Sequence, residues 1–178
     1  MQKNSVVSTS LRELFAAKPF GSAIRVGAFA GAVSALVAML IVLVMTSNFS
    51  RSEMGGSAAS FLVGRSPATL FVIGVLWAPL FETIIGQIIP LEFLRLLGVN
   101  VLFCLLVSAG LFSFGHYLNG AGMLQMTATF VGGAIFSGSY LALRALGLWP
   151  AYIAAATAHA THNGLLMFVV APLFPKLS

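Results

Sequence analysis

Four polar residues stand out as candidates for chemistry: Glu82, His116, His159 and Asn163, each within or at the edge of a long apolar run. In a lipid-embedded chain an ionisable group at that depth is costly, and by default it marks a site. His159 and Asn163 are four residues apart in Ala158-His-Ala-Thr-His-Asn-Gly164, so on a helix they share one face. Phe112 and His116 have the same spacing, and so do Thr83 and Gln87, which follow Glu82. A carboxylate beside an imidazole can hold and deprotonate a water. An Asn amide or an imidazole N–H can stabilise the oxyanion that forms on an attacked carbonyl. Together these groups describe an acyl hydrolase that uses activated water and needs no covalent nucleophile. No Gly-x-Ser-x-Gly elbow competes with this reading. Two His and one Glu (Glu82, His116, His159) are also a possible zinc set, although the chain lacks His-Glu-x-x-His.

The elements that must position these residues are membrane helices. Of 178 residues, 59% are hydrophobic and only 7% charged, and mean hydropathy is +1.01. Soluble domains carry about 25% charged residues. The chain has too few to cover a water-facing surface, so lipid is its main solvent. There is no Asp, and the four acids are Glu13, Glu53, Glu82 and Glu92. The net charge of +5 does not point to nucleic acid, because the basic residues are dispersed. Lys3, Arg12, Lys18 and Arg25 precede or open the first span and read as a topology signal that touches anionic lipid. Cys104 is the only cysteine, which excludes an intrachain disulfide and a zinc site built on several cysteines. No cleavable signal peptide is expected, because the first apolar run is too long.

A span needs roughly 20 apolar residues. The sequence predicts five, at about 23–45, 67–89, 99–114, 123–143 and 149–170, after a short interfacial helix at 10–18. Pro79 should kink the second span and Pro90 should end it, leaving 91–98 as an interfacial connection. Gly115-His116 should end or break the third span. Gly132, Gly133 and Gly138 should allow close approach of the fourth. The expected fold class is an all-α polytopic bundle. It comprises a cytoplasmic or interfacial segment, 1–22, and one transmembrane domain, 23–175. With the N-terminus inside, the inner side receives Lys3, Arg12, Lys18, Arg25, Arg95 and Arg144, and the outer side Arg51, Arg65 and Lys176. That is six against three, favouring a cytoplasmic N-terminus and an outer C-terminus.

The motifs, in order, resemble the CPBP family (CAAX protease and bacteriocin-processing, or Abi) of intramembrane proteases, which includes the type II CAAX prenyl endopeptidases. That family carries Glu-Glu-x-x-x-Arg, Phe-x-x-x-His and His-x-x-x-Asn on successive membrane helices. Here Phe112-x-x-x-His116 and His159-x-x-x-Asn163 match outright. In the first motif Glu82 is kept, while Thr83 and Gln87 replace the second Glu and the Arg. An i,i+4 ion pair would thereby become a neutral Thr83–Gln87 hydrogen bond. The resemblance covers about 76–166, half of the chain.

The resemblance implies an intramembrane endopeptidase acting on a membrane-associated peptide or protein in a prokaryotic plasma membrane. Glu82 would be the general base, with His116 holding the water. His159 and Asn163 would polarise the scissile carbonyl. Thr83, Gln87 and Phe112 would support them from behind, and His162 is assigned no role. Family members have been described both as metalloproteases and as glutamate proteases. The metal-free form is favoured here, with Glu82, His116 and His159 as ligands if a metal is used. The alternatives are a noncatalytic binding or immunity protein of the same fold and, less favoured, a small transporter.

Overall fold

The computed structural model describes residue 13 and residues 15–173. Every regular element among them is helical, and five helices are long and apolar enough to cross a membrane. They are α1 (Pro19–Asn48), α2 (Pro67–Leu96), α3 (Val101–Leu118), α4 (Met123–Leu146) and α5 (Leu148–Leu173). The protein is an integral membrane helix bundle. Of the interfacial helix expected at 10–18, residues 10–12 and 14 lie outside the described residues. Residues 15–17 are helical, with a bend at Lys18 before α1.

Local chemistry explains where the helices start and stop. Pro19 and Pro67 open α1 and α2, where a missing N–H costs nothing. The Ser66 hydroxyl accepts from Thr69 N–H at 3.2 Å, and the Asn100 side chain caps α3 through Phe103 N–H at 2.9 Å. At the end of α1, Thr46, Ser47 and Asn48 turn their side chains back onto the carbonyls of Val42, Leu43 and Val44. Gly120 and Gly147, with φ of 92° and 117°, form the turns after α3 and α4.

Two expected boundaries are corrected. α2 does not end at Pro90 but continues to Leu96, and α3 runs through Gly115 and His116 to Leu118. Each proline lying beyond the first turn of a span is preceded by a widened, π-helical turn. These turns are Phe71–Trp77 before Pro79, Ile84–Ile88 before Pro90, and Leu166–Val170 before Pro172. In all three, the residue just before the proline donates five residues back: Ala78 to Ile73, Ile89 to Ile84, Ala171 to Leu166. A proline ring collides with the carbonyl four residues back in a regular helix. The wider turn relieves that collision, and the helix passes through.

α5 is the centre of the bundle. It packs most extensively on α1 and also touches α4 and α2, while α3 packs on α4 and α2. Its Ala151, Ala154, Ala155 and Ala158 are fully buried. The closest approach is at α1, not at the glycines of α4 singled out from the sequence. A Cβ on Gly27 or Gly31 would run into the carbonyl oxygen of Ala154 or Ala158. On α4, Gly133 is tight (Phe112 Cδ1 at 3.0 Å), whereas Gly138 has nothing closer than Leu105 at 4.0 Å. Lipid supplies no hydrophobic drive between helices, so such small-residue contacts and buried polar bonds hold the bundle together. At one end of the bundle Arg144 Nε donates to Glu92 Oε1 at 2.8 Å, and Tyr140 Oη donates to the same oxygen at 2.9 Å, tying α4 to α2.

Candidate active site

Glu82, His116, His159 and Asn163 come from three helices, and all line one cavity of about 770 Å³ between α2, α3, α4 and α5. Glu82 lies in the short α-helical stretch between the two π turns of α2. Its side chain is 43% exposed. Glu82 Oε2 is 3.8 Å from His116 Nε2 and 3.8 Å from His159 Nε2. That exceeds the roughly 3.2 Å limit of a direct N–H···O bond.

The far side of each imidazole is anchored. His116 Nδ1 is 3.0 Å from the Phe112 carbonyl one turn back. A carbonyl can only accept, so Nδ1 carries the proton and, in the neutral ring, Nε2 is an acceptor. Two acceptors, Glu82 Oε2 and His116 Nε2, therefore face each other. A species with two O–H donors can bridge them from one side, and water is the simplest. His159, 3% exposed, is held through Nδ1 by the Thr83 hydroxyl at 3.3 Å. Phe136 stacks on the His159 ring at 4.9 Å, and Phe112 sets its edge against both imidazoles, at 4.7 Å to His116 and 5.3 Å to His159. Phe112 thus supplies a carbonyl to one histidine and a wall to both.

Asn163 is differently occupied than expected. Its Nδ2 donates to the Gly74 carbonyl of α2 at 2.8 Å, which binds α5 to the widened turn. The expected Thr83–Gln87 hydrogen bond is not formed. Thr83 turns to His159 on α5, whereas Gln87 turns toward Gly133 on α4, its Nε2 3.5 Å from where a Cβ there would lie. Gln87 lies within the π turn Ile84–Ile88, which begins just after Thr83. Gln87 is 1% exposed, and neither amide atom has a hydrogen-bond partner. Neither Thr83 nor Gln87 lines the cavity.

Sequence reasoning missed two parts of the site. His162 lines the cavity, with Nδ1 2.9 Å from Ser34 Oγ on α1, and its three-residue offset from His159 was the available signal. The connection between α1 and α2 also contributes, through residues 58–62. It is fastened by Ala58 N–H to Gln125 Oε1 at 2.6 Å and by Gly122 N–H to the Gly56 carbonyl at 2.8 Å. Nothing in its composition announced that it folds over the bundle.

Glu82 Oε2 and the two Nε2 atoms are the donors that would hold a metal. Their Nδ1 anchors match the outer-shell contacts of metal-bound histidines. The separations of 3.8 Å are wider than the roughly 3.3 Å between ligand atoms implied by tetrahedral zinc bond lengths. A zinc ion would need these side-chain atoms to draw closer together.

No protein-family model matches the chain, and neither a curated protein nor a solved structure was found similar to it.

Proposed function

We propose that the protein is an intramembrane endopeptidase of the CPBP type, hydrolysing a peptide bond of a membrane-associated peptide or protein with water activated by Glu82. The observation that carries this reading is the pair of opposed acceptors, Glu82 Oε2 and His116 Nε2, 3.8 Å apart in a cavity large enough for a short peptide.

The reaction balances with these residues alone. Water gives one O–H to Glu82 and one to His116. Glu82 takes its proton as the water oxygen bonds to the scissile carbonyl carbon. With Thr83 donating to His159 Nδ1, Nε2–H of His159 is free to stabilise the oxyanion. Collapse of that intermediate breaks the C–N bond, and the proton on Glu82 passes to the leaving amine. Asn163 acts as a brace: its bond to Gly74 holds α5, and with it His159, against the helix that carries Glu82. Positioned general-base catalysis of this kind contributes about 100- to 10,000-fold.

The surrounding bilayer is read as a prokaryotic plasma membrane. The distribution of basic residues supports a cytoplasmic N-terminus. The covered end of the cavity, with residues 49–66 and the α3–α4 turn, then faces outward.

The test is cleavage of a library of membrane-associated peptides by the purified protein in nanodiscs. Wild type, Glu82→Gln and chelator-treated wild type are compared. Cleavage by the wild type that survives chelation and is lost in the variant is the expected result. Undiminished cleavage by Glu82→Gln would remove this mechanism.

A further inference from the structure

The side chains around the cavity carry a charge pattern that restricts what can sit beside Glu82. Among the described residues lining it there is one carboxylate, Glu82, and neither a lysine nor an arginine. The remaining polar groups are imidazoles and neutral side chains: Ser60, Asn119, Gln125, Thr129 and Asn163. Gln125 already spends its Oε1 on Ala58 N–H, and Asn163 its Nδ2 on Gly74. Arg65, at the end of the covering connection, is exposed, is not among the lining residues, and directs Nε to the Phe61 carbonyl at 3.4 Å.

The walls are otherwise apolar. Phe81, Ile85 and Leu111 line the cavity and are 44%, 66% and 46% exposed. An apolar segment of chain finds matching surface there. Among the described lining residues a free carboxylate finds no lysine or arginine to pair with, and it meets the charge of Glu82 in a largely apolar cavity. An enzyme that trims a few residues from a C-terminus must hold that terminal carboxylate close to the scissile bond.

Taking the proteolytic reading as given, we infer that the site accepts an internal, uncharged apolar stretch of chain and discriminates against a free C-terminal carboxylate near the scissile bond.

The experiment uses matched pairs of one apolar peptide, cut three residues from its end, with the C-terminus free or amidated. The full-length protein is placed in zwitterionic nanodiscs. Both kcat/KM and the Kd of uncleavable reduced-bond analogues are measured. The amide is expected to exceed the acid by about tenfold or more in kcat/KM, and its analogue to show a Kd lower by a similar factor. Equal values, or preference for the acid, would overturn the inference. If neither peptide is cut but the amide analogue still binds more tightly, the proteolytic reading falls and the inference about the occupant stands. Thr129→Lys, which adds a cation to the lining, is expected to narrow the amide-to-acid ratio. An unchanged ratio in that variant would show that charge is not the cause.

Discussion

The Asn163 amide donates to the carbonyl of Gly74, at 2.8 Å across the α2–α5 contact. Gly74 needs that donor because of Pro79. In the widened turn each N–H reaches five residues back, as Ala78 does to Ile73. Residue 79 would next serve Gly74, but proline has no N–H. A side chain from a neighbouring helix supplies what the proline withholds.

This relationship predicts coupling between positions 79 and 163. Asn163→Ala should destabilise the protein by about 1–3 kcal/mol, the cost of an orphaned buried carbonyl. Pro79→Ala restores an N–H that can serve Gly74, so in the double variant most of that loss should disappear. Thermal unfolding of the four proteins in detergent gives the coupling, and strictly additive effects would refute the account.

At the site, Glu82→Gln keeps the side-chain volume but removes the base. Peptide cleavage should fall at least 100-fold, to the order expected for loss of a general base, with unchanged thermal stability. His116→Ala, which removes one of the two acceptors, should lower kcat more than it raises KM. An effect of His116→Ala on KM alone would place that residue in substrate binding instead.

Gln87 provides a test in the opposite direction. Its amide is buried without a partner, a cost of about 1–3 kcal/mol. Gln87→Met should therefore raise the unfolding temperature. A lower unfolding temperature would show that the amide is satisfied in the membrane and contributes to stability.

The α1–α5 contact predicts opposite outcomes for two glycines. Gly31→Ala forces a Cβ onto the Ala158 carbonyl and should destabilise by about 1–3 kcal/mol. Gly110→Ala on α3 meets nothing within 4 Å and should stabilise by up to about 1 kcal/mol through helix propensity. Equal effects at both sites would argue against close packing of α1 on α5.

Orientation can be read by labelling. Ser52→Cys, in the exposed turn after α1, should react with a membrane-impermeant maleimide added to intact cells. A cysteine reactive only after lysis would invert the topology proposed from the basic residues.

What was legible in the sequence was local. The five spans follow from runs of apolar residues, because a helix that satisfies its own backbone is the only open-ended way through lipid. Pro67 and Gly147 marked helix ends, because proline's missing N–H and glycine's positive φ act within one turn. The candidate residues were visible for the same reason: Glu82, His116, His159 and Asn163 are polar where their neighbours are not, and two pairs have the spacing of one helix face.

The tertiary structure decided everything that depends on which helix lies opposite. Pro90 was expected to end α2, yet a π turn carries the helix past it. Asn163 was expected to face a substrate, yet a carbonyl orphaned on α2 takes its amide. Thr83 chose His159 over Gln87, Gly27 and Gly31 proved closer-packed than Gly138, and the connection after α1 folded over the cavity. Each outcome sets one hydrogen bond or van der Waals contact against another across a distance in sequence. Spacing along a single helix determines which face a side chain occupies, and the packed bundle determines what that face meets.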